Sequence, residues 1–179
     1  MKYFLGIVPP DSIYTRLLQI QKAHGDNRLE PHITLRLPVS LVHADQWIQT
    51  IANVAAGFKP FQVVLPGTGT FGTRVLFVSV SSDPLAQLYD LLIPVLKPFE
   101  VPQGVERHDG YHPHLTLGRS WCGFTVEDFR KMRELADEYL AEGNIAFTVN
   151  SIRIYHKPDA HAGYRTFSDV PLSPLSPLL

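Results

Sequence analysis

The chain of 179 residues contains one cysteine, Cys122. A single cysteine cannot form an internal disulfide, and it cannot supply the clustered thiolates of a structural zinc site. No stretch approaches the roughly 18 consecutive apolar residues of a membrane-spanning helix. The apolar start of the chain lacks a small-residue cleavage site, so residues 1–8 predict a first strand and not a signal peptide. We therefore expect a soluble, cytoplasmic protein that does not bind membranes.

The chain also lacks a surplus of positive charge. It has 16 Lys and Arg against 17 Asp and Glu, which gives a net charge of −1 and a pI of about 6.7. Proteins that hold long nucleic acids through their phosphates usually carry a basic surplus. We therefore expect no long nucleic-acid partner, and any nucleic-acid substrate should be short or held at one local cleft. The hydrophobic fraction of 45% is typical of a globular protein, and we expect a monomer.

The pentapeptide Pro-His-Ile-Thr-Leu around His32 returns 82 positions later as Pro-His-Leu-Thr-Leu around His114. Side chains alternate between the two faces of a strand. His32 and Thr34 would therefore share one face, as would His114 and Thr116, while the apolar residues between them face a core. Packing requires only the apolar alternation and is indifferent to His and Thr. The repetition therefore favours a functional role for all four side chains.

Two imidazoles that converge on one phosphodiester can divide the work of phosphoryl transfer. A neutral ring takes a proton from the attacking oxygen, and a protonated ring gives one to the leaving oxygen. Both protonation states are available near neutral pH, and the scheme needs neither a metal nor a cofactor. The two threonine hydroxyls would donate hydrogen bonds to the non-bridging oxygens, where negative charge develops.

Apolar periodicity and turn residues predict an order of elements that occurs twice, namely strand, helix, motif strand, helix, strand. Pro94 should kink or shorten the third helix near its end. Phe61–Leu65 and Val75–Val80 look like a strand pair joined by a loop over Pro66–Thr73. Further predicted strands are Phe147–His156 and Tyr164–Val170.

The duplicated order predicts two similar lobes related by a pseudo-twofold axis, with the two motifs facing each other. We expect one bilobal domain over residues 1–170. The remaining residues, 171–179, are rich in Pro, Leu and Ser and should form an extended tail.

Several residues near the motifs are candidates for binding a substrate. Alternation places Arg36 on the face of His32, where a guanidinium would add charge-assisted binding to a phosphate. Arg119 has the opposite parity from His114 but would reach the rim of the cleft if the strand ends or twists there. Aromatic rings next to the motif strands could stack a base; these are Phe71, Tyr111 and Tyr155.

The pair Pro-His-Ile-Thr-Leu and His-Pro-His-Leu-Thr-Leu-Gly-Arg resembles the doubled His-x-Thr signature of the 2H phosphoesterase superfamily. In particular, it resembles the branch of 2′-5′ RNA ligases and RNA 2′,3′-cyclic phosphodiesterases. The resemblance extends over nearly the whole chain, including Phe71–Arg74 and the segment from Ile154 to Tyr164. It implies an α+β fold with two antiparallel sheets around a central cleft and helices outside. It also implies that His32, Thr34, His114 and Thr116 are the catalytic set.

The resemblance further implies a reaction. A 2′,3′-cyclic phosphate on a nucleotide or an RNA end would be opened to a 2′-phosphate, and in the ligase-named members a reversible reaction of the same kind joins RNA ends through a 2′-5′ bond. We assign His114 as the general base toward water and His32 as the general acid, although near-twofold symmetry leaves the opposite assignment open. The segment Arg36–Val39 differs from the Phe-Leu-Gly ending of the ligase-named members, so the natural substrate stays open.

Two alternatives remain. Because His108, His112 and His114 are close in sequence, they could ligate zinc or iron in a metallohydrolase, although both threonines would then be unexplained. Alternatively, the protein could be a module that binds nucleotides or phosphoesters without turning them over.

Overall fold

The helices and strands follow one another in an order that repeats. The computed structural model describes residues 1–23, 29–102 and 110–173. Within these residues the helices are α1 (Asp11–Ala23), α2 (Ala44–Ala56), α3 (Asp83–Leu96) and α4 (Val126–Ala141). The strands are β1 (Lys2–Ile7), β2 (Ile33–Val39), β3 (Phe61–Val64), β4 (Thr68–Phe71), β5 (Val75–Ser79), β6 (His114–Arg119), β7 (Ala146–Val149), β8 (Ser151–Lys157) and β9 (Arg165–Pro171).

The strands pair in a way that confirms the predicted α+β class and duplication. A seven-stranded antiparallel sheet has the order β4-β5-β6-β2-β1-β8-β9, and β3 pairs with β7 in a small second sheet. Exchanging the first half (β1, α1, β2, α2, β3, β4) for the second (β5, α3, β6, α4, β7, β8) reproduces this order. The helix contacts follow the same exchange, because α1 packs on α4 and α2 packs on α3. Among the described strands, only β9 has no counterpart.

The two halves meet at the motif strands. β2 and β6 are neighbours, but only Ile33 and Leu115 form a register pair between them. In this antiparallel register each strand runs past the start of the other, so β2 and β6 overlap only at their first residues. The hydrogen-bond ladder of the sheet is therefore interrupted between the two motifs.

Local sequence signals account for the ends of two helices. Ser82 caps α3 by accepting a hydrogen bond from the amide of Leu85. Thr125 and Asp128 form the complete capping box at the start of α4. Pro94 lies inside α3, which ends two residues later and passes into a short 3₁₀ helix. The prediction that Pro94 shortens the helix near its end is in agreement with this geometry.

Two of the predicted strand arrangements were wrong. The segment Pro66–Thr73 is not only a loop, because β4 forms inside it and pairs with β5. β3 pairs with β7 instead of β5. The predicted strand Phe147–His156 is broken at Asn150 into β7 and β8, which belong to different sheets. Periodicity detected the extended backbone, but partner choice depends on tertiary packing that local pattern does not contain.

One apolar core lies between the large sheet, the helices and the small sheet. It continues past the predicted end of the domain, since Leu172 is buried and the amide of Ser173 donates to the carbonyls of Ala55 and Phe58. The rest of the predicted tail, residues 174–179, lies outside the described residues. Among the described helices, none is long and apolar enough to cross a membrane.

Candidate active site

The two motif histidines are held in the same way. His32 Nδ1 lies 2.7 Å from the carbonyl oxygen of Glu30, and His114 Nδ1 lies 2.8 Å from that of His112. A carbonyl oxygen can only accept, so each Nδ1 carries the proton and donates it. Each Nε2 is therefore the nitrogen left for proton transfer, as a lone pair in the neutral ring or as an N–H in the charged ring.

Burial lowers the pKa of both imidazoles below the ordinary value of 6.5, because it disfavours the charged ring. For His32, the Glu30 carbonyl and carboxylate oppose this shift, whereas Arg119 and His114 add to it. For His114, the His112 carbonyl opposes the shift, whereas the His112 ring and Arg119 add to it. The charge of Arg119 therefore lowers the pKa of both rings.

A β-bulge in the second motif strand decides where Arg119 points. Phe77 on β5 faces Thr116, but the next residue, Leu76, faces Gly118. One residue of β5 thus opposes two on β6, and the parity of side chains reverses after the bulge. A Cβ on Gly118 would come within 2.5 Å of Met132 Cε in the core, so this position faces inward like Leu117. Arg119 then returns to the face of Thr116.

Arg119 accordingly lines a small pocket with His32 and Thr116. From the sequence, Arg119 was expected only at the rim of the cleft, because strict alternation of side chains puts it on the opposite face from His114. A glycine inside the strand was the available signal, since it often marks a bulge.

The first motif strand, β2, has a bulge at the equivalent place, and this bulge turns Arg36 away from the cleft. Gly6 on β1 faces Thr34, whereas Leu5 faces Arg36. Arg36 therefore shares the core face with Leu5, and its guanidinium binds the buried Glu100 through Nε and Nη2. The prediction that Arg36 shares a face with His32 and Thr34 is wrong, because the bulge reverses the parity that simple alternation assumes.

Because β2 and β6 overlap only at their first residues, the backbone carbonyl of each motif threonine accepts a hydrogen bond from a side chain. Gln21 Nε2 donates to the Thr116 carbonyl at 2.7 Å, and the Tyr111 hydroxyl donates to the Thr34 carbonyl at 3.1 Å. These hydrogen bonds fix both threonines where the sheet ladder is interrupted. One face of the Tyr111 ring is stacked on Tyr89, with centroids 3.9 Å apart. A role for Tyr111 in stacking a base stays a prediction.

Gln21 was missed by the sequence reasoning, because it appears there only as one polar residue of a helix. It is 4% exposed, and its Oε1 has no hydrogen-bond partner among the described residues. The residue borders the pocket of His32, Thr116 and Arg119. A buried acceptor without a partner is costly, and a substrate hydroxyl or a water in this pocket would satisfy it.

The Tyr155 ring packs against the His32 ring and is shielded from solvent. Its ring is 1% exposed and stacks on Phe4, with centroids 4.3 Å apart. The His32 ring lies 5.3 Å from Phe4 and 5.6 Å from Tyr155. A Cβ on Gly6 would press on both Tyr155 and His32 at 3.2 and 3.3 Å. The predicted role of Tyr155 in stacking a base is wrong, because no face of the ring is open.

Glu30 is the second residue that the sequence did not reveal. Its Oε1 accepts hydrogen bonds from the Tyr155 hydroxyl at 2.6 Å and from Arg153 at 2.9 Å. Arg153 in turn binds both carboxylate oxygens of Asp169 at 2.7 Å. Glu30 is thus held through its side chain while its carbonyl holds His32. The second motif has His112 at the same place, so the two halves differ in local charge.

Two phenylalanines surround His114 in the other half. The Phe71 ring lies 5.0 Å from His114 in an edge-to-face arrangement, and Phe77 lies 5.1 Å away. Phe71 is 42% exposed. Its position is compatible with the predicted stacking of a base, which stays a prediction.

The structure describes only two of the three histidines that were considered as metal ligands. His108 lies outside the described residues, and the His112 and His114 rings are 6.2 Å apart. Within the described part of the chain, no group of three His, Cys, Asp or Glu side chains is arranged to hold a metal ion.

A comparison with known protein families identifies the family of the chain. The family model of the 2'-5' RNA ligase superfamily matches residues 9–160, which include both motifs and every strand from β2 to β8. The chain belongs to this superfamily. The resemblance inferred from the doubled His-x-Thr signature is thereby confirmed. A search of curated proteins found no match.

Solved structures share the fold of this chain at low sequence identity. The protein TT0787 of Thermus thermophilus has a TM-score of 0.66 at 16% identity, covering 98% of this chain and 100% of its own. LigT of E. coli, in a complex with phosphate, has a TM-score of 0.61 at 17% identity, covering 96% and 97%. Usb1 of Kluyveromyces marxianus has a TM-score of 0.50 at 14% identity, covering 96% and 98%. LigT has also been solved with NADP+, 3'-AMP and ATP.

Proposed function

We propose that the protein is a phosphodiesterase that hydrolyses 2′,3′-cyclic phosphates of nucleotides or RNA ends to 2′-phosphates. The observation that carries the proposal is the matched presentation of two imidazoles, each with Nδ1 bound to a carbonyl and Nε2 left for proton transfer. Membership of the 2'-5' RNA ligase superfamily supports phosphodiester chemistry. The small ligands bound by LigT support a substrate of nucleotide size.

In the proposed reaction, His114 acts as general base and His32 as general acid. His114 Nε2 takes a proton from water as the water oxygen attacks phosphorus. The bond from phosphorus to O3′ breaks, its electron pair stays on O3′, and this oxygen takes a proton from His32 Nε2. The product carries a 2′-phosphate and a free 3′-hydroxyl. The same sequence with an RNA 5′-hydroxyl in place of water would give a 2′-5′ bond.

The asymmetry between the halves supports this division of roles. The Glu30 carboxylate favours the protonated state of His32, and the His112 ring disfavours the protonated state of His114. A general acid must start protonated and a general base must start neutral. Burial and Arg119 lower the pKa of both rings, so the Glu30 carboxylate and the His112 ring, which differ between the halves, bias the rings in the directions that the assignment requires.

Arg119 and the threonine hydroxyls would stabilise charge on the phosphate. Arg119 lines the pocket with His32 and Thr116, where a guanidinium can bind non-bridging oxygens. Thr34 and Thr116 are on the same face as their histidines by alternation and are partly exposed. Donors that are already positioned contribute most where charge develops in the transition state.

A phosphorus NMR assay with a set of cyclic phosphates tests the proposal. The set runs from 2′,3′-cyclic mononucleotides to short RNAs with a cyclic end and ADP-ribose cyclic phosphate. We expect 2′-phosphate products, and we expect His32→Ala and His114→Ala to remove most activity while the circular dichroism spectrum is retained. Binding without turnover between pH 5 and 9 would instead establish the non-catalytic module. Loss of turnover in excess chelator would establish the metallohydrolase.

A further inference from the structure

One side of the cleft carries a row of side chains that extends from His32 toward the free ends of β1 and β8. Lys2 lies directly opposite Lys157, and Phe4 lies opposite Tyr155. Opposite residues in an antiparallel pair project from the same face. Since Phe4 and Tyr155 contact His32, the two lysines lie on the face of the catalytic cleft. We refer to Lys2, Phe4, Tyr155, Lys157 and Tyr164 as the lysine arm.

The lysine arm leads away from His32 in short steps. The Phe4 ring is 5.3 Å from the His32 ring, and the Tyr164 ring is 4.9 Å from Phe4. Lys157 Nζ lies 6.0 Å from the centroid of Tyr164. The arm ends in a concavity of about 400 Å³ that includes Lys2, Lys157 and Tyr164 in its lining.

The paired lysines create a local excess of positive charge. Like charges directly opposite each other in a sheet destabilise it. Among the described residues, neither lysine forms an ion pair with a carboxylate. The one carboxylate in the described lining is Asp159, whose Oδ1 accepts hydrogen bonds from the amides of His161 and Ala162. An anion between the two amines would offset their repulsion.

The other side of the cleft has no equivalent pair of lysines in the part that the structure describes. Around His114 the nearest rings are Phe71, Phe77 and His112. On the β4–β5 side Arg74 lies over the Trp121 ring, 5.3 Å from its centroid. In the part that the structure describes, two directly opposed amines therefore occur on the β1–β8 side of the cleft and not on the β4–β5 side, and this difference gives the cleft a direction.

We propose that the lysine arm binds a backbone phosphate of single-stranded RNA, on the nucleotide that precedes a terminal cyclic phosphate. The inference rests on the proposed function and specifies its substrate as an RNA end whose chain runs along β1 and β8. Lys2 and Lys157 contact the phosphate, and Tyr164 offers a partly exposed ring beside them to a base.

The direction in which the RNA binds also bears on the roles of the histidines. The ribose that holds the leaving oxygen is connected to the rest of the RNA, so it lies on the His32 side. Attack in line with the leaving oxygen places water on the opposite side, beside His114. The binding of the chain on the lysine arm is therefore consistent with His32 as acid and His114 as base.

The test compares two substrates with the full chain, a 2′,3′-cyclic mononucleotide and a tetranucleotide RNA with a 2′,3′-cyclic end. We expect the Lys2→Gln/Lys157→Gln variant to lose about tenfold more kcat/KM on the tetranucleotide than on the mononucleotide, since it can no longer bind a phosphate through charged hydrogen bonds. The dependence of log(kcat/KM) on log salt for the tetranucleotide should become shallower by about 0.7, because one phosphate is no longer neutralised by the protein.

Two further variants make the test sharper. Lys59→Gln/Lys131→Gln removes the same charge from surfaces outside the cleft and should leave the preference for the tetranucleotide unchanged. Asp159→Asn keeps an oxygen for the amides of His161 and Ala162 but removes a negative charge from the concavity. We expect it to raise kcat/KM on the tetranucleotide about twofold, an effect opposite in sign to that of the lysine variant.

The outcomes separate the inference from the proposed function. Equal use of both substrates, with no change in the lysine variant, would overturn the inference while cyclic phosphodiesterase activity stands. If wild-type protein hydrolyses neither substrate, the proposed function fails. Fluorescence anisotropy with a labelled RNA tetranucleotide ending in a 2′-phosphate then decides the inference alone. Tighter binding by wild type than by the lysine variant supports it, and equal binding contradicts it.

Discussion

Arg36 and Glu100 form an ion pair with two hydrogen bonds on the core face of the large sheet, where both side chains are less than 10% exposed. Glu100 Oε1 also accepts a hydrogen bond from Trp47 Nε1 at 3.2 Å. The pair joins β2 to the segment after α3 and to α2. It follows from the bulge between β1 and β2, which directs Arg36 away from the cleft.

Replacing Glu100 with Ala should reduce the free energy of unfolding by about 3–5 kcal/mol, because a buried guanidinium is then left without its charged partner. Replacing both residues, as Arg36→Met/Glu100→Leu, should cost less than Glu100→Ala alone, because no unpaired charge is left inside. Urea denaturation of the three proteins measures the difference. A double variant that is less stable than Glu100→Ala would contradict this account.

Arg119→Gln should lower kcat/KM for a cyclic phosphate by about 100-fold, because it removes a positioned donor to the developing charge. Arg74→Gln is the matched control, since Arg74 lies over the Trp121 ring and does not line the pocket of His32, Thr116 and Arg119. Stability should change little in either variant. Steady-state kinetics and thermal denaturation check the prediction, which would be refuted by similar activity losses in the two variants.

The contrast between Arg36 and Arg119 shows what the sequence could predict and what it could not. The doubled motif identifies two histidines and two threonines and predicts a strand at each copy, although β2 begins at Ile33, one residue after His32. Arg36 and Arg119 each lie at or just after a bulge. A bulge reverses the face on which the next side chains lie without changing the pattern of apolar residues in the sequence. Side-chain direction was therefore predictable up to Thr34 and Thr116 but not beyond them.

Contacts between distant segments were also beyond the reach of the sequence. Gln21 reaches Thr116 across 95 positions, and Glu30 reaches Tyr155 across 125. Neither residue belongs to a recognisable motif, and each is selected by where the fold places it. The order of helices and the duplication were predictable because they depend on periodicity and capping, which are local.

Gly118→Ala should destabilise the protein by about 1–3 kcal/mol through overpacking, because the added Cβ would lie 2.5 Å from Met132 Cε and 3.0 Å from Phe124. The strain is at the bulge, so Arg119 should also be displaced and kcat/KM should fall. Gly67→Ala is the control, since a Cβ there meets nothing within 4 Å. Denaturation midpoints and kinetics of both variants test the prediction. A Gly118→Ala protein as stable as Gly67→Ala would show that the core face has room.

The dependence of activity on pH should be bell-shaped, with the maximum of kcat/KM below about pH 6.5. Burial lowers the pKa of both His32 and His114 from 6.5. On the acid side, activity falls as the base His114 becomes protonated, and on the alkaline side it falls as the acid His32 loses its proton. Both limbs should therefore lie on the acid side of the ordinary histidine range.

Glu30→Gln provides the variant that distinguishes the limbs. Removing the carboxylate that favours protonated His32 should lower the pKa of this ring further, so the alkaline limb should move to lower pH. The acid limb, set by His114, should stay in place. Imidazole titrations by NMR, together with pH profiles of kcat/KM for wild type and variant, measure both effects. Movement of the acid limb alone would reverse the assignment of acid and base.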